Sequence, residues 1–236
     1  MTKLVLLALV VAIASSHAAD TPLPSGAKLL YEQDFQKPDA IKDFVMTDPT
    51  AWKVAATNGQ RSLELTKQSN YKPPVRSPVN MALIADKVFT DFVLEVDLIQ
   101  TGREYGHRDM CLFYGVQNPT NFYYTHIATA ADPNAHNIFV VTNAPRKNIA
   151  RETTKGVNWG LNVWHKVRLE RDAKSGMINA YFDDFSKPIM VAQDTNFASG
   201  YIGFGSFDDT GMIDNIRIWG SSVTAKKTEF FKRAAE

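Results

Sequence analysis

One cysteine among 236 residues rules out an internal disulfide, so a hydrophobic core must hold the fold together. Neither sign of charge is in excess. There are 26 Lys+Arg against 25 Asp+Glu, and the first eighteen residues hold one lysine and no acid, so the remainder is neutral by count. A nucleic-acid binder normally carries a basic stripe, because phosphate neutralisation supplies most of its non-specific affinity. None is present, and a polyanion held by bulk charge is disfavoured with it, although a local arginine site is not. The chain also lacks the ~20 consecutive apolar residues of a membrane-spanning helix. No Cys/His spacing suggests zinc, no glycine-rich loop suits phosphate, and no serine nucleophile elbow occurs. Helix-period stretches of useful length are missing from the interior of the chain.

The start of the chain reads as a secretory signal. Lys3 is a positive n-region, Leu4 to Ala14 is an apolar run of about eleven residues, and Ser16-His17-Ala18 offers the small residues a signal peptidase reads. Cleavage is expected after Ala18, and with no cysteine nearby a thioether lipid anchor is chemically impossible there. The expectation is a protein without a membrane anchor, free in the periplasm or outside the cell. Residues 19–28 read as a linker, 29–220 as one domain, and 221–236 as a charged tail. That tail suits a turn or two of amphipathic helix and would either pack Phe230 and Phe231 on the domain or fray.

What fills the domain is short alternating runs divided by Gly, Pro, Asn and Asp. They include LLYEQDF (29–35), SLELT (62–66), MALIA (81–85), FVLEVDLI (92–99), MCLFYGV (110–116), NFYYTHIA (121–128) and NIFVV (137–141). WHKVRLERD (164–172), MINAYFDD (177–184), GYIGFGSF (200–207) and MIDNIRIWG (212–220) complete the series. Period-two alternation rich in β-branched and aromatic residues is the strand pattern. Val167 and Leu169 alternate with Lys166, Arg168 and Glu170, giving one buried and one wet face, and Gly176 suits the turn that follows. Around ten closely spaced strands without intervening helices predict an all-β fold, an antiparallel two-sheet sandwich.

The order of DFVLEVDL (91–98), WHKVRLERD, Gly176, NAYFDD, GYIGFGSFDD (200–209) and DNIRIWG (214–220) resembles the concanavalin A-like lectin/glucanase superfamily, a jelly-roll fold. Its nearest branch looks like the laminin-G-like and keto-glycoside hydrolase-like domains of bacterial secreted proteins. The resemblance implies two curved, stacked sheets with sugar on the concave face or rim. Glu95-Val-Asp97-Leu-Ile-Gln100 is similar to the E-x-D-x-x-E strand of glucanases in that superfamily, but Gln100 stands where a carboxylate would be. A Gln neither protonates a leaving group nor deprotonates water, so these residues read as an ordinary strand with Glu95 and Asp97 on its polar face.

Candidate site residues cluster in Arg103-Glu-Tyr105-Gly-His107-Arg108-Asp109 and the strands after it. Alternation puts Met110, Leu112, Tyr114 and Val116 on a core face, and His107, Asp109, Cys111 and Phe113 on the other. Phe122, Tyr124 and His126 share a face of the next strand. Rings cover the apolar face of a sugar while His, Asp and Asn bond its hydroxyls. His107, Asp109, Tyr124 and His126 are therefore expected to converge, with Asp109 fixing the tautomer of one His. Tyr105, Arg108 and Arg146 would contact substrate, Arg146 reaching a carboxylate or sulfate. His165 and Cys111 read as packing residues.

Three functions stay open: binding of an oligo- or polysaccharide, glycan cleavage by a lyase or glycoside hydrolase, and a structural or protein-interaction role. In a lyase, His or Tyr would remove the proton α to a carboxyl or keto group and Arg146 would stabilise the enolate-like charge. Several superfamily members tie their terminal strands together with a cation. That implies a structural Ca2+ between Asp34 and Asp214 if those strands pair.

Overall fold

The computed structural model describes residues 22–57 and 59–233. The signal-peptide reading of residues 1–18, the first residues of the expected linker and the last three of the tail lie outside them. The strands run in order as β1 (Lys28–Gln33), β2 (Phe44–Met46), β3 (Trp52–Thr57), β4 (Gln60–Leu65), β5 (Asn80–Ile84), β6 (Lys87–Phe89), β7 (Phe92–Gln100), β8 (Asp109–Asn118), β9 (Asn121–Ala128) and β10 (Asn137–Thr142). They continue as β11 (Lys147–Asn148), β12 (Ala150–Thr153), β13 (His165–Arg171), β14 (Met177–Phe182), β15 (Met190–Gln193), β16 (Tyr201–Ser206), β17 (Gly211–Gly220), β18 (Val223–Ala225) and β19 (Lys232–Arg233). Short 3-10 turns at Ala40–Asp43 and Pro49–Ala51 are the helical elements among the described residues.

All pairings are antiparallel and form two large sheets. A nine-stranded sheet runs β12-β15-β14-β13-β7-β17-β4-β3, with β1 also on β17, and an eight-stranded sheet runs β11-β10-β9-β8-β16-β5-β2-β19. β6 and β18 make a small ribbon. Every run read as a strand from alternation is one. The count is higher than ten because short strands such as β2, β11 and β15 carry too few residues to show a period.

The inner faces of the two sheets share one core, including Leu94, Leu98, Leu112, Tyr114, Tyr123, Ile138, Val167, Leu169, Ile202 and Ile218. At about 1.5–3 kcal/mol for each large apolar side chain buried, this layer replaces the missing disulfides. A second apolar layer lies on the outer face of the eight-stranded sheet: Val45, Met81, Leu83, Cys111, Phe113, Val116, Phe122, Tyr124, Phe139, Val141 and Tyr201. Val75, Phe230 and Phe231 pack onto it, so both faces of this sheet are largely covered.

Two expectations change here. Val116 was placed with Met110, Leu112 and Tyr114, but it belongs to the outer layer with Cys111 and Phe113. Gly115 sits at φ +59°, and β8 slips register against both β16 and β9 around it. That bulge inserts an extra residue and flips every later side chain to the other face. Among the described residues the tail is not helical: β19 pairs with β2, and Phe230 and Phe231 pack edge-on against Tyr201 and Tyr71 respectively. The chain reaches an open sheet edge there, and backbone pairing on that edge satisfies its polar groups as well as a helix would.

The bulge is locked from β16. A Cβ on Gly200 would lie 2.2 Å from the Gly115 carbonyl carbon and 2.4 Å from the Val116 nitrogen, both backbone atoms. Gly200→Ala is expected to cost at least about 1–3 kcal/mol, since neither strand can yield without breaking the ladder. Denaturant unfolding of the variant checks this, and a loss under about 0.5 kcal/mol would show that the close approach is not a constraint.

Candidate functional site

At one end of the eight-stranded sheet several strand termini coincide. Asp109 opens β8 opposite Ala128 of β9, His126 faces Asn137 at the start of β10, and Ser206 closes β16 opposite Asn80. Residues remote in sequence therefore meet on the outer face. Tyr105, His107, His126 and Arg146, with Phe207 and Asp208, line a cleft of about 190 Å³ whose rim carries Arg76 and Asn134. Four residues expected at a site are thus brought together.

His107 is half exposed, and its Nε2 lies 2.6 Å from Asp132 Oδ2. Its orienting carboxylate is therefore Asp132, not Asp109. His126 is 2 % exposed, ringed by Tyr124, Phe139 and Phe207. Its Nε2 stands 3.2 Å from Asp109 Oδ2, but neither ring nitrogen of His126 makes a hydrogen bond. Arg146 arrives from the far end of β10 and lies along the sheet. Its guanidinium sits 4.8 Å from the Phe139 ring centre and 4.4 Å from that of Phe207, while Nη1 donates to the Tyr124 hydroxyl at 2.9 Å. Stacking on two rings and one directed hydrogen bond fix its direction.

Asp109 and Tyr124 lie beneath the cleft, both fully buried. Burial raises the Tyr124 hydroxyl well above the usual range, so it is protonated at neutral pH. Asp109 Oδ2 accepts the backbone N–H of Phe207 at 2.9 Å and the Cys111 thiol at 3.1 Å, while Oδ1 has no partner. Burial, reinforced by the charge of Asp109, holds the Cys111 thiol well above its ordinary range. Next to this carboxylate, Asp209 Oδ2 accepts the Asp109 backbone N–H at 3.0 Å and the Tyr105 hydroxyl at 2.8 Å. Burial first, then the Asp109 charge, push Asp209 up to about 7, and the same two causes raise Asp208. The cleft therefore offers ring surface, hydroxyl, imidazole, guanidinium and carboxyl groups within one small concavity.

Arg108 is not brought there. It is 1 % exposed and turned to the opposite side of its strand, where Nη2 donates to the Gln100 carbonyl and Nη1 to that of Gly160, both at 2.9 Å. Glu95 and Asp97 lie on the outer face of the nine-stranded sheet, bonded to Arg168 and Asn215, as an ordinary polar strand face would be. His165 packs on Phe182 and bonds Asp183 and the Trp159 carbonyl.

β1 and β17 do pair, so Asp34 and Asp214 are neighbours, and with Asp97 they repel one another enough to help raise Asp214, after burial. Asp34 holds the Gln36 N–H in a local turn; Asp214 accepts from Gln60 at 2.6 Å and from the Asn215 N–H. Among the described residues, the groups of three potential ligands within 4.8 Å are Asp109–Cys111–His126 and Asp109–Asp208–Asp209, and neither includes Asp34 or Asp214. Sequence reasoning passed over Phe207, Asp208, Asp209, Arg76 and Asn134. A signal existed for three of them, because GSFDD ends a strand in an aromatic and two adjacent acids.

No protein-family model and no curated protein matches the sequence. Solved structures do. The carbohydrate-binding module CBM66 of Bacillus subtilis aligns at 18 % identity over 76 % of this chain and 96 % of its own, with a TM-score of 0.53. Metal-free lectin I-B4 of Griffonia simplicifolia aligns at 15 % over 82 % and 99 %, with a TM-score of 0.51. Domain 4 of an extracellular arabinanase from Geobacillus stearothermophilus, solved with arabinotriose, aligns at 10 % over 86 % and 95 %, also at 0.51. What they share with this chain is the fold, an antiparallel two-sheet β-sandwich.

One histidine beside the site has a clear electrostatic consequence. His136 is fully buried, its Nδ1 accepts the Ala128 N–H at 3.2 Å, and its Nε2 pairs with Thr154 Oγ1 at 2.9 Å. Burial, then the neighbouring His126, lower its pKa from 6.5 to about 4. The unfolded chain takes up a proton below about 6.5 that the folded protein refuses until about 4. The stability His136 supplies is thus complete above pH 6.5 and is lost as pH falls through that window. His136→Gln is expected to be less stable at pH 7 but to lose stability less steeply on acidification. Urea unfolding at pH 7, 5.5 and 4.5 would refute this if both proteins show the same slope.

Proposed function

We propose that this chain is a secreted saccharide-binding protein whose binding site is the cleft between Tyr105, His107, His126, Arg146, Phe207 and Asp208. The observation that carries the reading is the convergence of those side chains at one end of the eight-stranded sheet. Ring faces of Tyr105 and Phe207 suit the C–H surface of a sugar, while Asn134, His107 and Asp208 supply donors and acceptors for its hydroxyls. Arg76 and Arg146 add two cations on one side, which favours a glycan bearing carboxylate or sulfate groups. Lectins and carbohydrate-binding modules on the same fold support the reading, and so does the secretory pattern of residues 1–18. The laminin-G-like resemblance belongs to the same proposal.

A second reading, glycan cleavage, is favoured by one observation. Asp209, raised to about 7, stands beside the buried Asp109. A carboxyl that keeps a proton near neutral pH is what a general acid requires.

Both readings are tested on one preparation. Titration calorimetry against neutral, uronate-containing and sulfated oligosaccharides should give binding to an acidic member. His107→Ala, at a half-exposed position, should weaken that binding about tenfold while stability stays within about 0.5 kcal/mol. Binding unaltered by this substitution would move the site elsewhere, and no binding to any glycan would sink the proposal. Reducing ends released during the same incubation would establish cleavage.

A further inference from the structure

Beneath the cleft lies a group of atoms that hydrogen bonding leaves unexplained. Asp109, Cys111 and His126 are at most 2 % exposed. Asp109 Oδ1 and both ring nitrogens of His126 lack any hydrogen-bond partner. Burying a polar atom without a partner costs about 1–3 kcal/mol, and such atoms in a native fold call for a water or an ion. Here they occur together on adjacent strands, with Cys111 directly opposite His126 in the β8–β9 ladder.

We propose that Asp109 Oδ2, Cys111 Sγ and His126 Nε2 are a three-ligand site for a transition-metal dication of the zinc class. Cys111 Sγ lies 3.1 Å and His126 Nε2 3.2 Å from Asp109 Oδ2, and one ligand atom from each of the three residues lies within 4.8 Å of the others. Zinc bonds of ~2.0–2.3 Å in tetrahedral geometry place ligand atoms roughly 3.3–3.6 Å apart, close to the two separations measured from Asp109 Oδ2. Sulfur, imidazole and carboxylate together select a borderline cation over calcium or magnesium, which prefer all-oxygen shells. Binding replaces the thiol proton that Cys111 now gives to Asp109, and that proton leaves to solvent. The Phe207 N–H on the same carboxylate oxygen then acts as the outer hydrogen bond that orients a metal-bound ligand. His126 also lines the cleft, and three protein ligands would leave one position of a tetrahedral cation for water or another small ligand.

The site rests on these three residues alone and stands whether or not the cleft binds saccharide. The full-length mature protein, stripped with chelator and dialysed against Zn2+, should retain one equivalent per chain by elemental analysis. Loading with Co2+ instead should give tetrahedral visible bands and a thiolate-to-cobalt charge-transfer band in the near ultraviolet. Since the chain contains a single cysteine, that band on unmodified protein reports Cys111 and needs no variant. Asp109→Asn, checked for folding by circular dichroism, should weaken zinc binding at least about tenfold, whereas His107→Ala should not. No stoichiometric zinc, or cobalt bound without the sulfur band, overturns the assignment.

Discussion

A carboxylate with no access to water organises the end of the molecule where chemistry is concentrated. Asp109 takes the Phe207 N–H on its side chain and gives its own N–H to Asp209. These two reciprocal bonds fasten the loop after β16 to the start of β8, across about a hundred residues of sequence. Asp209 in turn accepts the Tyr105 hydroxyl, so the ring on one wall of the cleft is positioned through the same pair. Burial, and after it the neighbouring charge of Asp109, lets Asp209 retain a proton up to about pH 7. That clamp relates Tyr105 to Phe207, on whose ring the Arg146 guanidinium stacks.

The position of the cleft follows from how the eight-stranded sheet is covered. Its outer face is filled in the middle by Phe113, Phe122, Tyr124 and Phe139, and Val75, Phe230 and Phe231 close over that layer. The segment before β5 is tied across by the Val79 N–H to the Phe207 carbonyl and the Arg146 N–H to the Arg76 carbonyl. The tail is tied by the Thr228 N–H to the Ala85 carbonyl. Rings that a sugar would use in the centre of the sheet are thereby spent on packing. Only where the strands end does the cover stop, and there His126 touches both the buried layer and the open cavity.

Much of this was legible in the sequence, and the failures share a cause. Strand positions and the sandwich follow from local alternation, a property of neighbouring residues. The convergence of His107 and His126 was accessible because β8 and β9 are consecutive antiparallel strands, so the start of one meets the end of the other; Arg146 joins them from the far end of β10 by lying over Phe139 and Phe207. Alternation failed at Gly115, where a bulge flips Val116. Arg108 shows the complementary limit: it adjoins His107 in the chain just before β8, yet its side chain is held away from the cleft by the Gly160 and Gln100 carbonyls. Phe207, Asp208 and Asp209 were missed because they enter through the β8–β16 pairing, which joins strands far apart in sequence. The absence of recognisable Cys/His metal spacing has the same origin. Cys111 and His126 are paired by a strand register rather than by a short loop, and Asp109 joins Cys111 by a single pleat repeat.

A neutral, disulfide-free sandwich gains nothing in stability from burying Asp109, Cys111 and His126 where three aliphatic side chains of similar volume would pack. Replacement of buried polar clusters by hydrophobic groups is commonly neutral or stabilising. The surrounding layer shows that the sequence is well able to fill this face with aromatic side chains, since it does so at the next pair on the same face, Phe113 and Tyr124. The polar substitution is confined to the ladder positions that abut the cleft, and the unbonded nitrogens of His126 and oxygen of Asp109 lie in that same patch. Local departures from an otherwise consistent packing rule mark functional sites more often than folding needs. The boundary between covered and open sheet and the boundary between apolar and polar burial coincide, and a stability requirement alone would not align them.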